Sequence, residues 1–226
     1  MGRRSYPIAA IDSASSGYAL RVEVHAIDRR YAPQAVQLLG ELRLSLFGIQ
    51  SRRLHTALVD DGIAKRIDFR IAVEAGKVLG VVVAAARSYW MIAPLTHWRI
   101  GVDCLKALSA RPASADRAPV THADAGFQLD GGTPPRTWNS PGDAWRIILI
   151  GTDPAARGRG IAAQLYRAVM ADRSLVARIA LDNTASLRLH RAVGWRLYRD
   201  QDVALAVHVR QPGAEPRHSA GAGIAR

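Results

Sequence analysis

Residues 145–181 constrain this chain more than any other stretch. Trp145-Arg146-Ile147-Ile148-Leu149-Ile150 is an apolar run of strand length. A loop with two glycines follows, then a helix predicted from about Gly160 to Asp172. Its apolar stripe is Ile161, Leu165, Ala168 and Val169, and Val176 to Leu181 reads as the next strand. A strand, a short loop, an amphipathic helix and another strand belong to an α/β layer structure.

The other elements fit that class. Val22 to Ala26 alternates like a strand, and Asp28 can cap a helix across Pro33 to Phe47. Val36, Leu39, Leu42 and Leu46 share one face of that helix, with Gly48 as its stop. A second helix is expected over Arg52 to Asp60. Phe69 to Glu74 and Val78 to Ala86 read as a hairpin around Ala75-Gly76-Lys77, its second strand apolar on both faces. Ala185 to Ala192 reads as a short helix and Val203 to Val209 as a final strand.

At 226 residues the chain is long enough to bury a full core without disulfides or metals. The single Cys104 excludes an intrachain disulfide and a cysteine-rich zinc site, so no metal is expected. The longest apolar stretch, Val81 to Ala86, is far short of the ~20 residues of a membrane span. The start has no apolar h-region behind Arg3-Arg4, and Tyr6 spoils a myristoylation signal, so a cytoplasmic protein is expected. The net charge is +12, with 28 of the 31 basic residues arginine. Because the arginines are scattered rather than blocked, they read as solvated surface more than as a nucleic-acid or membrane patch.

The expected organisation is a loose arm over 1–20, one domain over 21–210 and a disordered Gly-, Ala-, Pro- and Arg-rich tail over 211–226. Within the domain, 91–143 carries too many prolines and glycines for regular elements. It reads as a surface insertion before the central strand, with Trp98, Val102 and Leu105 suiting a lid beside an acceptor site.

The chemistry concentrates in Ile150-Gly151-Thr152-Asp153-Pro154-Ala155-Ala156-Arg157-Gly158-Arg159-Gly160-Ile161-Ala162. Unpaired N–H groups at a helix start carry the positive end of the macrodipole, glycines let an anion approach, and Arg157 and Arg159 add charge. This is machinery for a phosphate or pyrophosphate, against the plainer reading of a βα turn. No Walker pattern is present. Gly158-Arg159-Gly160-Ile161-Ala162-Ala163 is a G-x-G-x-x-A with Asp182 further on, but Thr152 to Arg157 separate it from the strand end. Too little chain remains behind it for the rest of a dinucleotide-binding sheet.

The same loop resembles the acyl-CoA pyrophosphate loop of the GNAT superfamily of N-acyltransferases, Gln/Arg-x-x-Gly-x-Gly/Ala. Arg157, Gly160 and Ala162 meet that pattern, whereas framing on Gly158 and Gly160 puts Ala155 in the first position. Asn183-Thr184-Ala185-Ser186-Leu187-Arg188-Leu189-His190-Arg191-Ala192-Val193-Gly194-Trp195 is similar to the family's closing segment, one helix and one strand later. Read from its residues, Asn183 is a helix cap, Gly194 a helix stop, Trp195 a core anchor, and Ser186 and His190 an i, i+4 pair.

The resemblance implies a mixed, splayed β-sheet flanked by helices, with acetyl-CoA or a close acyl-CoA held between two parallel strands. Ile150, Gly151 and Thr152 would line the pantetheine arm. Arg157, Gly158, Arg159, Gly160, Ile161 and Ala162 would hold the pyrophosphate, with Asn183 and Ser186 as further contacts. It also implies direct attack by a primary amine, neutral in only about one molecule in 2,500 at pH 7, a deficit of about 4.6 kcal/mol. A base or water chain must deprotonate it. Many members protonate the leaving thiolate from a tyrosine where this chain has His190. The central strand carries no acid; Asp143, Glu74, His55 and His97 are base candidates by element proximity alone. The expected activity is N-acetyl transfer to a small-molecule amine, with a non-catalytic acyl-CoA-binding or regulatory domain as the alternative. A membrane partner is not expected, nucleic acid is disfavoured, and a homodimer is left open.

Overall fold

The structure, a computed structural model, describes residues 21–42, 51–86, 89, 129–132, 144–171, 173–200 and 203–210. In chain order these form β1 (Glu23–Ala26), α1 (Ala32–Glu41), α2 (Arg52–Ile63), β2 (Asp68–Glu74), β3 (Lys77–Ala86) and β4 (Ala144–Thr152). A 3-10 turn (Pro154–Ala156) follows, then α3 (Ile161–Met170), β5 (Ser174–Ala180), α4 (Thr184–Ala192), β6 (Arg196–Asp200) and β7 (Val203–His208). The expected arm, the tail and nearly all of the 91–143 insertion lie outside the described residues.

Local chemistry explains most boundaries. Asp28 does not cap α1; its carboxylate accepts from the N–H groups of Arg30 and Tyr31, shaping the turn before the helix. Pro33 sits in the first turn, where its missing N–H costs nothing. α2 runs three residues beyond the expected Asp60, to Ile63. The Ala75-Gly76 turn is left-handed at both residues, with φ of 49° and 77°, the type I′ geometry that matches the twist of a hairpin.

The seven strands form one sheet in the order β1-β2-β3-β4-β5-β7-β6. Every pairing is antiparallel except β4 with β5. β3 is buried on both faces as its composition requires. Val82 and Ala84 join the core under α3, while Val81, Val83 and Ala85 join the core under α1 and α2. The first core also holds Leu165, Tyr166, Leu175, Ala177 and Trp195.

A bulge in β4 disturbs this regularity. Val83 pairs with Leu149 and Ala84 with Ile147, so Ile148 is passed over. Ile147 therefore packs under α3, while Ile148 and Leu149 both face the opposite core. An extra residue bends and twists its strand. β4 pairs with β5 only from Ala144↔Ser174 to Arg146↔Val176, before the bulge. Beyond it, β4 continues on β3 as far as Thr152, and β5 continues on β7 as far as Ala180. The two parallel strands thus diverge into a wedge toward their C-terminal ends.

Candidate active site

The wedge is walled on one side by Ile150, Gly151 and Thr152, all half-buried and paired on their other edge with Val82, Val81 and Gly80. At its mouth β4 turns into the glycine loop. Asp153 anchors the turn: its N–H donates to Leu79 O at 2.8 Å, and its Oδ1 accepts from Ala155 N at 2.9 Å. Gly158 and Gly160 then take φ of 77° and 73°, a conformation L-residues with a side chain adopt at a cost.

α3 starts without a side-chain cap. Gly160 is its N-cap, and the first backbone bond of the helix runs from Gln164 N to Gly160 O at 3.1 Å. The N–H groups of Ile161, Ala162 and Ala163 thus have no intrahelical acceptor and sit at the positive end of the dipole. A Cβ built at Gly158 or Gly160 would meet nothing within 4 Å among the described residues, so the loop is uncrowded at both glycines. The Ile161 side chain is buried, leaving only its backbone to contact a ligand. Arg157 is exposed. The guanidinium of Arg159, by contrast, makes a two-pronged pair with the Glu74 carboxylate, one arm at 3.0 Å.

That pair also removes Glu74 as a base candidate. The hydrogen bond from Arg159 holds its carboxyl below the ordinary glutamate range, outweighing the opposing effect of burial. His55 is buried on α2, and Asp143 and His97 lie outside the described residues.

On the other wall, α4 begins and ends as its residues predict. Asn183 Oδ1 accepts from Ser186 N at 3.1 Å, which makes Asn183 the helix cap. Gly194 takes φ of 88° and stops the helix, and Trp195 is buried. Ser186 and His190 do share a face, but not as a surface pair. His190 is 1% exposed; its Nδ1 lies 2.7 Å from the Ser186 carbonyl, with the Ser186 hydroxyl at 3.4 Å.

A carbonyl can only accept, so Nδ1 carries the proton. Nε2 then accepts from the Tyr166 hydroxyl at 2.8 Å. Burial holds the imidazole below the ordinary histidine range, partly opposed by the Ser186 carbonyl. The expectation that His190 protonates a thiolate is not carried by this geometry. The ring is neutral, its only N–H is engaged, and its lone pair is taken by Tyr166. Burial likewise pushes the Tyr166 phenol well above the ordinary tyrosine range. His190 instead ties α4 to α3, with Trp195 edge-on at 4.9 Å. Sequence reading missed Tyr166, because it lies beside the apolar stripe of α3 and its partner is 24 residues away.

The sequence of residues 124–195 matches the acetyltransferase (GNAT) family. That stretch contains the glycine loop, the wedge strands and the α4 segment described above. Over that stretch the chain is similar to GNAT acetyltransferases. Solved structures share its fold at low sequence identity. NAA60 of Arabidopsis thaliana, solved in complex with acetyl-CoA, superposes with a TM-score of 0.51 at 15% identity, over 84% of this chain and 98% of that one. A putative GNAT acetyltransferase of Desulfovibrio desulfuricans gives 0.50 at 14% identity, over 84% and 99%. The putative acetyltransferase yncA of Salmonella typhimurium, solved with acetyl-CoA, gives 0.50 at 14% identity, over 87% and 98%. No curated protein matches the chain in sequence. Among the described residues, no helix is long and apolar enough to cross a membrane, and no group of three or more His, Cys, Asp or Glu is placed to hold a metal ion.

Proposed function

We propose that this protein is a GNAT acyltransferase that transfers an acetyl or similar acyl group from acyl-CoA to the primary amine of a small molecule, by direct attack. The observation that carries the proposal is the wedge: parallel pairing of β4 with β5 ends at Arg146 and Val176, and β4 runs on from there into the glycine loop that opens α3. The open space at Gly158 and Gly160, where an added Cβ would meet none of the described residues within 4 Å, suits a diphosphate. Ile150, Gly151 and Thr152 would line the pantetheine arm with backbone groups on the edge that β5 has left. The N–H groups of Gly158, Gly160, Ile161 and Ala162, with Arg157, would hold the diphosphate.

When bound, coenzyme A supplies an activated thioester. The chain's part is then to bind, orient and keep bulk water out, with a β4 N–H facing the wedge as donor to the carbonyl oxygen. Bringing amine and carbonyl together in one wedge replaces a bimolecular encounter. With Glu74 engaged by Arg159, a water chain into the wedge is the deprotonation route this reading uses. Asn183 and His190 enter it as the cap and the tie of α4, and Ser186 through the carbonyl that fixes the His190 tautomer.

The test is calorimetric binding of acetyl-CoA followed by free-thiol release with a panel of small amines. Binding with amine-dependent thiol release supports transfer. Binding without release from any amine favours the second reading, a non-catalytic acyl-CoA-binding or regulatory domain, for which the acid-free strand β4 speaks. Absence of binding sinks both.

A further inference from the structure

One hairpin turn holds the glycine loop at both ends. Glu74 and Lys77 are the register pair that closes β2 and β3 around the left-handed Ala75-Gly76 turn. Lys77 Nζ donates to Asp153 Oδ2 at 2.8 Å, where the loop begins. Glu74 takes both arms of Arg159, where the loop ends against Gly160. The turn is itself pinned to α1, because Gln34 Nε2 donates to Gly76 O at 3.1 Å and Gln34 Oε1 accepts from Val78 N at 2.9 Å. A rigid turn therefore grips residues 153 and 159, on either side of Arg157 and Gly158.

We propose that Arg159 is a positioning residue and not a phosphate ligand: with Lys77–Asp153, the Glu74–Arg159 pair is a strut that holds the loop in its binding shape before coenzyme A arrives. The diphosphate is left to the backbone N–H groups and to Arg157. This inference rests on the acyl-CoA reading above. Two physical reasons favour the strut over a partner exchange. A bidentate Arg–carboxylate pair fixes geometry as well as charge, which suits holding a glycine loop that would otherwise lose freedom on binding. If Arg159 left for a phosphate, the Glu74 carboxylate would remain beside a dianion without its counter-charge. The depressed titration of Glu74 agrees with a carboxylate kept ionised by its partner.

The experiment measures acetyl-CoA affinity by calorimetry at about 0.3 M salt, where through-space effects between exposed charges are screened. It uses Glu74→Gln, Arg159→Gln and the charge-swapped double variant Glu74→Arg/Arg159→Glu. Each single change should weaken binding about three- to tenfold and speed hydrogen exchange at amides 157–162 in the ligand-free protein. The swap should restore both to within about twofold, because the strut is rebuilt with its ends reversed. If Arg159 touches phosphate, the swap places a carboxylate against the ligand and binds more weakly than either single variant, which overturns the inference. Tighter binding by Glu74→Gln overturns it too, and needs no double variant to fold. A wild-type chain that binds no acetyl-CoA refutes the cofactor reading instead, so the two failures are distinct.

Discussion

Gly160 separates backbone strain from ligand occlusion, so its substitutions test the proposed diphosphate site most directly. Its φ of 73° and ψ of 10° lie in the left-handed region. An L-residue there costs about 1–2 kcal/mol, and asparagine tolerates it best among residues with a side chain. A shift of 1 kcal/mol moves the midpoint by about 2–4 °C for a domain of this size, so Gly160→Val should lower Tm by about 2–8 °C. Gly160→Asn should lower it by less. No atom lies within 4 Å of the added Cβ, so neither variant should unfold the protein by collision.

Binding should respond differently. On the proposed reading, either side chain would compete with the diphosphate for the Ile161 and Ala162 donors. A charge-assisted hydrogen bond is worth about 1.5–3 kcal/mol, so losing two costs about 3–6 kcal/mol, a drop in affinity of more than about 100-fold. Calorimetry with acetyl-CoA, beside scanning calorimetry on the same samples, reads both quantities. A Gly160→Asn protein with near-native Tm and acetyl-CoA affinity within about threefold of wild type would refute this placement.

Three further outcomes are expected. The Cβ of Gly62→Ala would sit 2.5 Å from Phe69 Cβ and 2.7 Å from Ile27 Cγ2, so urea unfolding should show a loss of about 1–3 kcal/mol despite alanine's better helix propensity. His190 and His208 are both held below the ordinary histidine range by burial. Folded-state pKa values below the unfolded value of about 6.5 leave stability intact above that pH, and it is lost as pH falls through the folded values. Denaturation midpoints between about pH 7 and pH 4 should show this slope, and His190→Leu should flatten part of it. Asp130 Oδ2 accepts from Leu197 N at 2.6 Å, and Oδ1 from Arg191 at 3.2 Å. Asp130→Ala should cost about 1–3 kcal/mol and speed exchange at the Leu197 amide, because a backbone donor on β6 loses its partner.

What was legible in the sequence was local. Apolar period placed α3 within two residues at each end, the doubled glycine marked the left-handed loop, and Asn183 and Gly194 marked the limits of α4. These depend on residues within one or two turns of each other, so near neighbours in the chain carry the whole signal. The glycine-loop motif pointed to an anion site but not to which of Arg157 and Arg159 serves it.

Tertiary structure alone decided the rest, because it depends on partners far apart in the chain. The wedge comes from a bulge at Ile148, which a run of four apolar residues hides: Ile147 to Ile150 have no polar member to show which face each takes. Arg159 meets Glu74 across 85 positions, and that contact turns a motif arginine into half of an ion pair. His190 stands where the resemblance implied a proton donor, yet the Tyr166 hydroxyl and the Ser186 carbonyl fix it as a neutral, buried tie. The sequence by itself determined which elements form and where an anion would be welcome. Packing determined which side chains remain able to meet one, since burial and pairing are properties of the assembled core.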